Sequence, residues 1–197
     1  MPTRNKTPAD GLYDKDIRHF IIGRIAKNHT TNQIVIEEMP TGTKKCRVDI
    51  AVIGKRMKAI EIKGTFDSLS RLKNQIENYS YCFDEIDIYF TPNHLGKILS
   101  IVPDYCGLHL VSINREATKS KCIRKSTTIK MQTKEELLSL LWKEEMRYIA
   151  IRHGIIDKKD RLDIASLYFL INENLSLGIA KREVVNTIRE RLISAER

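Results

Sequence analysis

Residues 47–64 read RVDIAVIGKRMKAIEIKG. Two apolar runs, VDIAVI and AIEI, flank Gly54-Lys55-Arg56, a connection short enough for a hairpin. In a strand, successive side chains point to opposite faces, so Glu61 and Lys63 share one face while Ile60 and Ile62 take the other. Asp49 interrupts the first run as Glu61 interrupts the second. If 47–53 and 57–63 pair through the Gly54 turn, Asp49 and Glu61 come side by side. Charged groups on apolar strands are costly unless paired or bound to a cation. Two close carboxylates repel, and a hard divalent ion with oxygen ligands relieves them: Mg²⁺, with Mn²⁺ as the alternative. A lysine beside such a pair suits phosphodiester hydrolysis, where it orients water and offsets charge growing on the phosphate. The bland reading is a chance acid twelve residues before an E-x-K on a surface strand. The apolar setting of both strands argues against it.

Residues 14–27 carry Ile17, Phe20, Ile21 or Ile22, and Ile25 at helical spacing. Residues 33–39 read as a strand closed by Pro40 and a turn at Gly42. On the other side, Asp67 is placed to cap a helix over 67–83, with Leu69, Leu72, Ile76, Tyr79 and Phe83 on its apolar face. A strand at 85–90, a helix at 94–102 and a strand at 108–113 follow. This order predicts an α/β sandwich with a mixed sheet.

From residue 134 the pattern turns all-helical, with helices expected at 134–153 (ending at Gly154), 161–172 and 179–195. The expected organisation is an α/β domain over 1–133 and a helical C-terminal extension over 134–197. Residues 115–134 hold seven basic residues and one acid, Glu116, and read as an exposed linker with room for a strand.

The 197 residues are 42% hydrophobic and 30% charged, enough for a substantial core. A net charge of +9 favours a polyanionic partner. The C-terminal helices are close to neutral, so the positive excess belongs to 1–133. The helices then suit packing, a homodimer or a protein partner. Cys46, Cys82, Cys106 and Cys122 form no C-x-x-C pair, which predicts reduced thiols rather than zinc ligands. With no apolar run of signal-peptide or membrane-span length, no membrane partner is expected and the expected location is cytoplasmic.

These residues resemble the PD-(D/E)XK nuclease superfamily, with Asp49 and Glu61-Ile62-Lys63 as motif elements. The resemblance is closest to a bacterial and phage branch with a helical C-terminal extension. It extends to Asp16-Ile17-Arg18, to RLKNQIENY at 71–79 as R-L-x-x-Q-x-x-x-Y, to Cys82-Phe83-Asp84, to VPDYCG, and to Leu141-Trp142-Lys143-Glu144-Glu145. Two departures stand out: Gly64 where the branch carries serine, and Tyr105-Cys106 where it carries two tryptophans.

The resemblance implies a restriction-endonuclease-like α/β core with a mixed central sheet. It implies Asp49 and Glu61 as metal ligands with the Ile62 carbonyl as a third, and Lys63 as the catalytic lysine. The first-motif acid is assigned to Glu38, with Glu37 and Asp16 as alternatives; strand parity allows only one of Glu37 and Glu38 to face the site. Arg71, Gln75 and Tyr79 share a helix face and would line the substrate path or support the ligands. The expected function is metal-dependent hydrolysis of nucleic acid, DNA ahead of RNA. The competing readings are a nuclease-fold binding or assembly module without turnover, and a helical adaptor on an α/β scaffold.

Overall fold

The computed structural model describes residues 11–27, 33–41, 46–114 and 117–195. The turn expected at Gly42 and the polar N-terminal residues lie outside them. Helix α1 spans Asp14–Lys27, and three strands follow: β1 (Ile34–Thr41), β2 (Cys46–Ile53) and β3 (Met57–Lys63). Then come α2 (Leu72–Ser80), β4 (Glu85–Phe90), a short 3₁₀ turn at Pro92–His94, and α3 (Leu95–Ile101). Strands β5 (Gly107–Asn114) and β6 (Ala117–Arg124) complete the sheet. Four helices end the chain: α4 (Lys134–Leu138), α5 (Lys143–Arg152), α6 (Ile164–Asn174) and α7 (Leu177–Ala195).

The six strands lie in chain order. Pairing is antiparallel except for β3 with β4 and β4 with β5, where the intervening helices carry the chain back across the sheet. The sheet is therefore mixed, as the α/β expectation required. The hairpin at Gly54 forms, with its amide donating to the Arg56 carbonyl at 3.1 Å. On one face Ile17 and Ile21 of α1 pack on Ile50, Val52, Ile60, Ile62 and Val111. The other face is covered by α2, α3 and the C-terminal helices in one continuous apolar core.

Three sequence expectations are corrected. The helix expected at 67–83 begins only at Leu72, because the Asp67 carboxylate turns back to accept the Gly64 amide at 2.7 Å instead of capping a following turn. The helix expected at 134–153 is two, since the Glu145 side chain accepts the Trp142 amide at 2.7 Å and starts a new helix there. The helix expected at 161–172 starts at Ile164, capped by Asp163, whose carboxylate accepts from the Ser166 amide at 2.7 Å.

The expected linker is mostly structure: β6 pairs with β5 over Leu108↔Arg124 to Asn114↔Ala117. Beyond it the Thr127, Ile129 and Thr133 amides donate to the carbonyls of Tyr105, Asp84 and Tyr81. The chain is thus tied down continuously into the C-terminal helices. Lys181 of α7 pairs with the buried Asp84, and Arg191 donates to Glu145 at 2.6 Å and to the Leu140 carbonyl at 3.0 Å.

All four cysteines are free thiols. Burial pushes the Cys82 and Cys106 thiols up to about 12, so both stay protonated and inert at neutral pH. Among the described residues no helix is long and apolar enough to cross a membrane.

Candidate functional site

The β2–β3 ladder runs from Ile53↔Met57 to Ile50↔Ile60 and stops there. One step further Asp49 would face Glu61. Instead the strands part, and Asp49 Oδ2 accepts the Ile62 amide at 2.7 Å, replacing the ladder bond with a side-chain one. The parting places Asp49 in the gap between the strands, while Glu61 and Lys63 project from β3 toward α2.

Glu61 is almost fully buried and receives donors on both oxygens. Lys63 Nζ donates to Oε1 at 2.7 Å and Gln75 Nε2 to the same atom at 2.7 Å. The Tyr79 hydroxyl lies 2.6 Å from Oε2 and 2.7 Å from the Arg47 carbonyl. Lys63 also donates to Gln75 Oε1 at 3.2 Å, so the amide of Gln75 joins the ion pair from both ends. The one-turn spacing of Gln75 and Tyr79 on α2 is what brings both onto Glu61. Burial, then the charge of Glu61, pushes the Tyr79 phenol up, so it stays a donor at any physiological pH.

Asp49 is pushed up to about 7, first by burial and then by the charge of Glu61, against the lowering effects of the Ile62 amide and Arg18. It therefore titrates near neutrality beside a second acid.

Arg18 of α1 closes the other side of the site. Its Nε donates to Asp14 at 3.0 Å, one nitrogen bonds Glu38 at 2.6 Å and lies 3.5 Å from Asp49 Oδ1, and another donates to the Asp49 carbonyl. Glu38 also lies 3.6 Å from Arg47.

Glu38 adopts φ 52°, a left-handed conformation that costs a non-glycine residue ~1–2 kcal/mol. The β1–β2 ladder skips it, pairing Glu37 with Ile50 and Met39 with Val48. The break loosens strand parity: Glu37 comes within 3.9 Å of Arg18 as well, while of the two acids Glu38 is the one that lines the adjacent cleft. Asp16 points elsewhere, accepting the Tyr13 amide at 3.2 Å at the start of its own helix.

A cleft of about 430 Å³ opens beside Asp49, lined by Glu38, Arg47, Asp49, Arg71, Asn74 and Gln75 among others, while Glu61 and Lys63 are buried and do not line it. Arg71 stands exposed on its wall.

Sequence reasoning gave Asp14, Arg18 and Arg47 no role at the site. The i,i+4 spacing of Asp14 and Arg18 was a readable signal for their pairing. Their meeting with β1 and β2 depends on helix placement, which no local pattern encodes.

Among the described residues no group of three or more His, Cys, Asp or Glu side chains converges as a metal centre. The acids Asp49 and Glu61 with the Ile62 carbonyl remain an all-oxygen set of the kind Mg²⁺ takes with retained waters.

Fold and site together define a mixed α/β protein that holds an acid–acid–lysine cluster where two strands of its sheet part. The chain belongs to the family of bacteriophage P4 protein cII, whose family model matches residues 8–197. It is similar to "Protein cII" of Enterobacteria phage P4, 25% identical over 188 residues that cover 93% of this chain and 69% of that protein. No solved structure matches the chain.

Proposed function

We propose that the protein is a metal-dependent phosphodiesterase of the PD-(D/E)XK type, with a restriction-endonuclease-like core, that hydrolyses nucleic acid, DNA ahead of RNA. The carrying observation is the gathering of Asp49, Glu61 and Lys63 at the parted end of β2 and β3, with Asp49 and Gln75 lining an open cleft whose walls also carry Arg47 and Arg71.

Asp49 and Glu61 would hold Mg²⁺ or Mn²⁺ with the Ile62 carbonyl. When bound, such an ion supplies Lewis-acid polarisation of the phosphate and makes water acidic enough to attack near neutral pH. The chain's own part is positional. Gln75 and Tyr79 hold the Glu61 carboxylate in one orientation, and Gln75 holds Lys63 Nζ beside it. Lys63 places a fixed positive charge where charge develops on the phosphate, at a buried position where it is weakly screened. Arg47 and Arg71 supply backbone-phosphate contacts, which position substrate without reading sequence.

One observation favours a second reading. Arg18 already engages Asp14, Glu38 and the Asp49 backbone, and so puts a protein cation among the acids. A nuclease-fold module that binds nucleic acid without cutting it would look the same.

The test incubates labelled single- and double-stranded DNA and RNA with the full chain in Mg²⁺, Mn²⁺ or EDTA, beside Lys63→Ala. Metal-dependent products from wild type alone support hydrolysis. Binding without products supports the second reading. Equal products from both proteins would mean contamination and overturn the assignment.

A further inference from the structure

The loop that follows Lys63 is held unusually firmly for an exposed turn. The Gly64 amide donates to Asp67 at 2.7 Å and its carbonyl lies 2.8 Å from His94 Nε2. The Thr65 amide donates to the Leu12 carbonyl at 2.8 Å, its hydroxyl accepts the Leu12 amide at 3.0 Å, and its carbonyl accepts Asn93 Nδ2 at 2.8 Å.

Gly64 itself has no room for a side chain: a Cβ there would lie 2.7 Å from the Leu12 carbonyl oxygen. The serine expected at this position from the family resemblance is therefore replaced here by a close backbone crossing.

The next residue on this clamped loop is Phe66, and its side chain does not fold inward. It is 67% exposed, the most exposed of the large hydrophobic side chains among the described residues. Its ring lies 5.3 Å from that of Tyr13, itself 45% exposed, at an interplanar angle of 40°.

Leaving a phenylalanine in solvent on a backbone held this closely forgoes the ~1.5–3 kcal/mol that its burial would contribute. The pair's place in the fold suggests its use. Phe66 lies three residues after Lys63, within ~11 Å by chain length. Tyr13 directly precedes Asp14, which holds Arg18 in the site. Arg71, on the cleft wall, ends the same loop. Cationic groups that track a phosphate backbone beside exposed aromatic faces are the two components of single-strand recognition.

We propose that Phe66, backed by Tyr13, is a stacking platform for an unpaired nucleobase. The preferred substrate is accordingly single-stranded nucleic acid or a single-stranded end entering the cleft. The inference rests on the nucleic-acid reading above, and names the substrate class of that site.

The test is equilibrium binding of a short 2-aminopurine-containing oligodeoxynucleotide, single-stranded or annealed as a blunt duplex, to the full chain in EDTA at fixed ionic strength. Wild type is compared with Phe66→Ala and Phe66→Trp. Phe66→Ala should weaken single-strand binding at least ~5-fold and abolish the quenching of 2-aminopurine emission that stacking produces, while duplex binding changes less than ~2-fold. Phe66→Trp should restore both. Equal loss on both substrates, or no loss on either, overturns the platform, as does failure of wild type to bind any strand.

Cleavage in Mg²⁺ is read separately. Phe66-dependent single-strand binding without cleavage sinks hydrolysis and leaves the platform standing. Cleavage with Phe66-independent binding does the reverse.

Discussion

Asp49 accepts the backbone amide of Ile62 at 2.7 Å, at the step where the β2–β3 ladder would otherwise have continued. The bond does two things at once. It satisfies an amide that the parting of the strands leaves without its ladder partner, and it fixes one carboxylate oxygen while the other faces Arg18.

The raised pKa of Asp49 makes stability depend on pH. Burial and the charge of Glu61 lift the native carboxyl from 3.8 to about 7. The folded state therefore binds the proton more tightly than the unfolded chain does. On that account stability is highest below the unfolded value, falls as pH rises between the two values, and levels off above the higher one. Asp49→Asn keeps an oxygen for the Ile62 amide but carries no charge. It should be more stable than wild type above pH ~7 by ~1–3 kcal/mol and converge with it toward pH ~4. Urea unfolding in EDTA across this range checks the prediction. An Asn variant with unchanged pH dependence would show that Asp49 is not strained by its neighbours. In the cleavage assay the same variant should be inactive.

Lys63 is predicted to serve both the fold and the chemistry. It is 6% exposed and pairs with a carboxylate that is 1% exposed. Removing one partner of a buried pair leaves the other charge uncompensated, at a cost of ~3–5 kcal/mol. Gln75 and Tyr79 still donate to Glu61, so the loss for Lys63→Met should fall toward ~2 kcal/mol. A Glu61→Gln, Lys63→Met double variant should recover part of that loss without recovering cleavage. Strictly additive losses in the cycle would deny the coupling.

The Tyr79 hydroxyl stands between Glu61 Oε2 and the Arg47 carbonyl, at 2.6 and 2.7 Å. Its single proton serves one of these oxygens at a time. Tyr79→Phe removes it and leaves a buried carboxylate with one donor fewer, predicting a loss of ~1–3 kcal/mol. The denaturation midpoint should fall with an unchanged m-value. A midpoint unmoved by the substitution would mean that water replaces the hydroxyl.

The strands were legible in the sequence because their signal is local. Alternation around Asp49 and Glu61, with a glycine between two apolar runs, leaves few other ways to pair them. The α2 contacts were legible in part, since the Gln75–Tyr79 spacing announces a shared face but not what it faces. Glu38 is assigned by the family resemblance and does stand beside Arg18 on the cleft wall, but its φ of 52° was not legible, and it breaks the alternation that parity reasoning assumes. Arg18 was hidden because its partners, Asp14 apart, come from distant strands. The helix bounds were misplaced where short-range hydrogen bonds decided them, a late start after Asp67 and a break at Trp142–Glu145. Those bonds compete with helix propensity over only three or four residues.

The continuity of the core leads to a prediction about the helical part. The change in texture near residue 134 marks the expected helical extension, and Leu137, Leu141, Ile149, Leu167, Ile171 and Val184 are buried in the same apolar cluster as Met57, Ile86 and Phe90 of the sheet. Truncation would expose the sheet and α2 side chains that these helices cover, and each apolar side chain uncovered costs up to ~1.5–3 kcal/mol against a typical net stability of only ~5–15 kcal/mol. Truncation would also strip Lys181 from the buried Asp84. A fragment of residues 1–133 should therefore keep strand and helix content by far-ultraviolet circular dichroism, bind a hydrophobic dye, and unfold without a cooperative transition. The full chain should unfold in one step with an m-value proportionate to its length. A fragment that unfolds cooperatively on its own would show that the helices are an independent unit docked on a complete α/β domain.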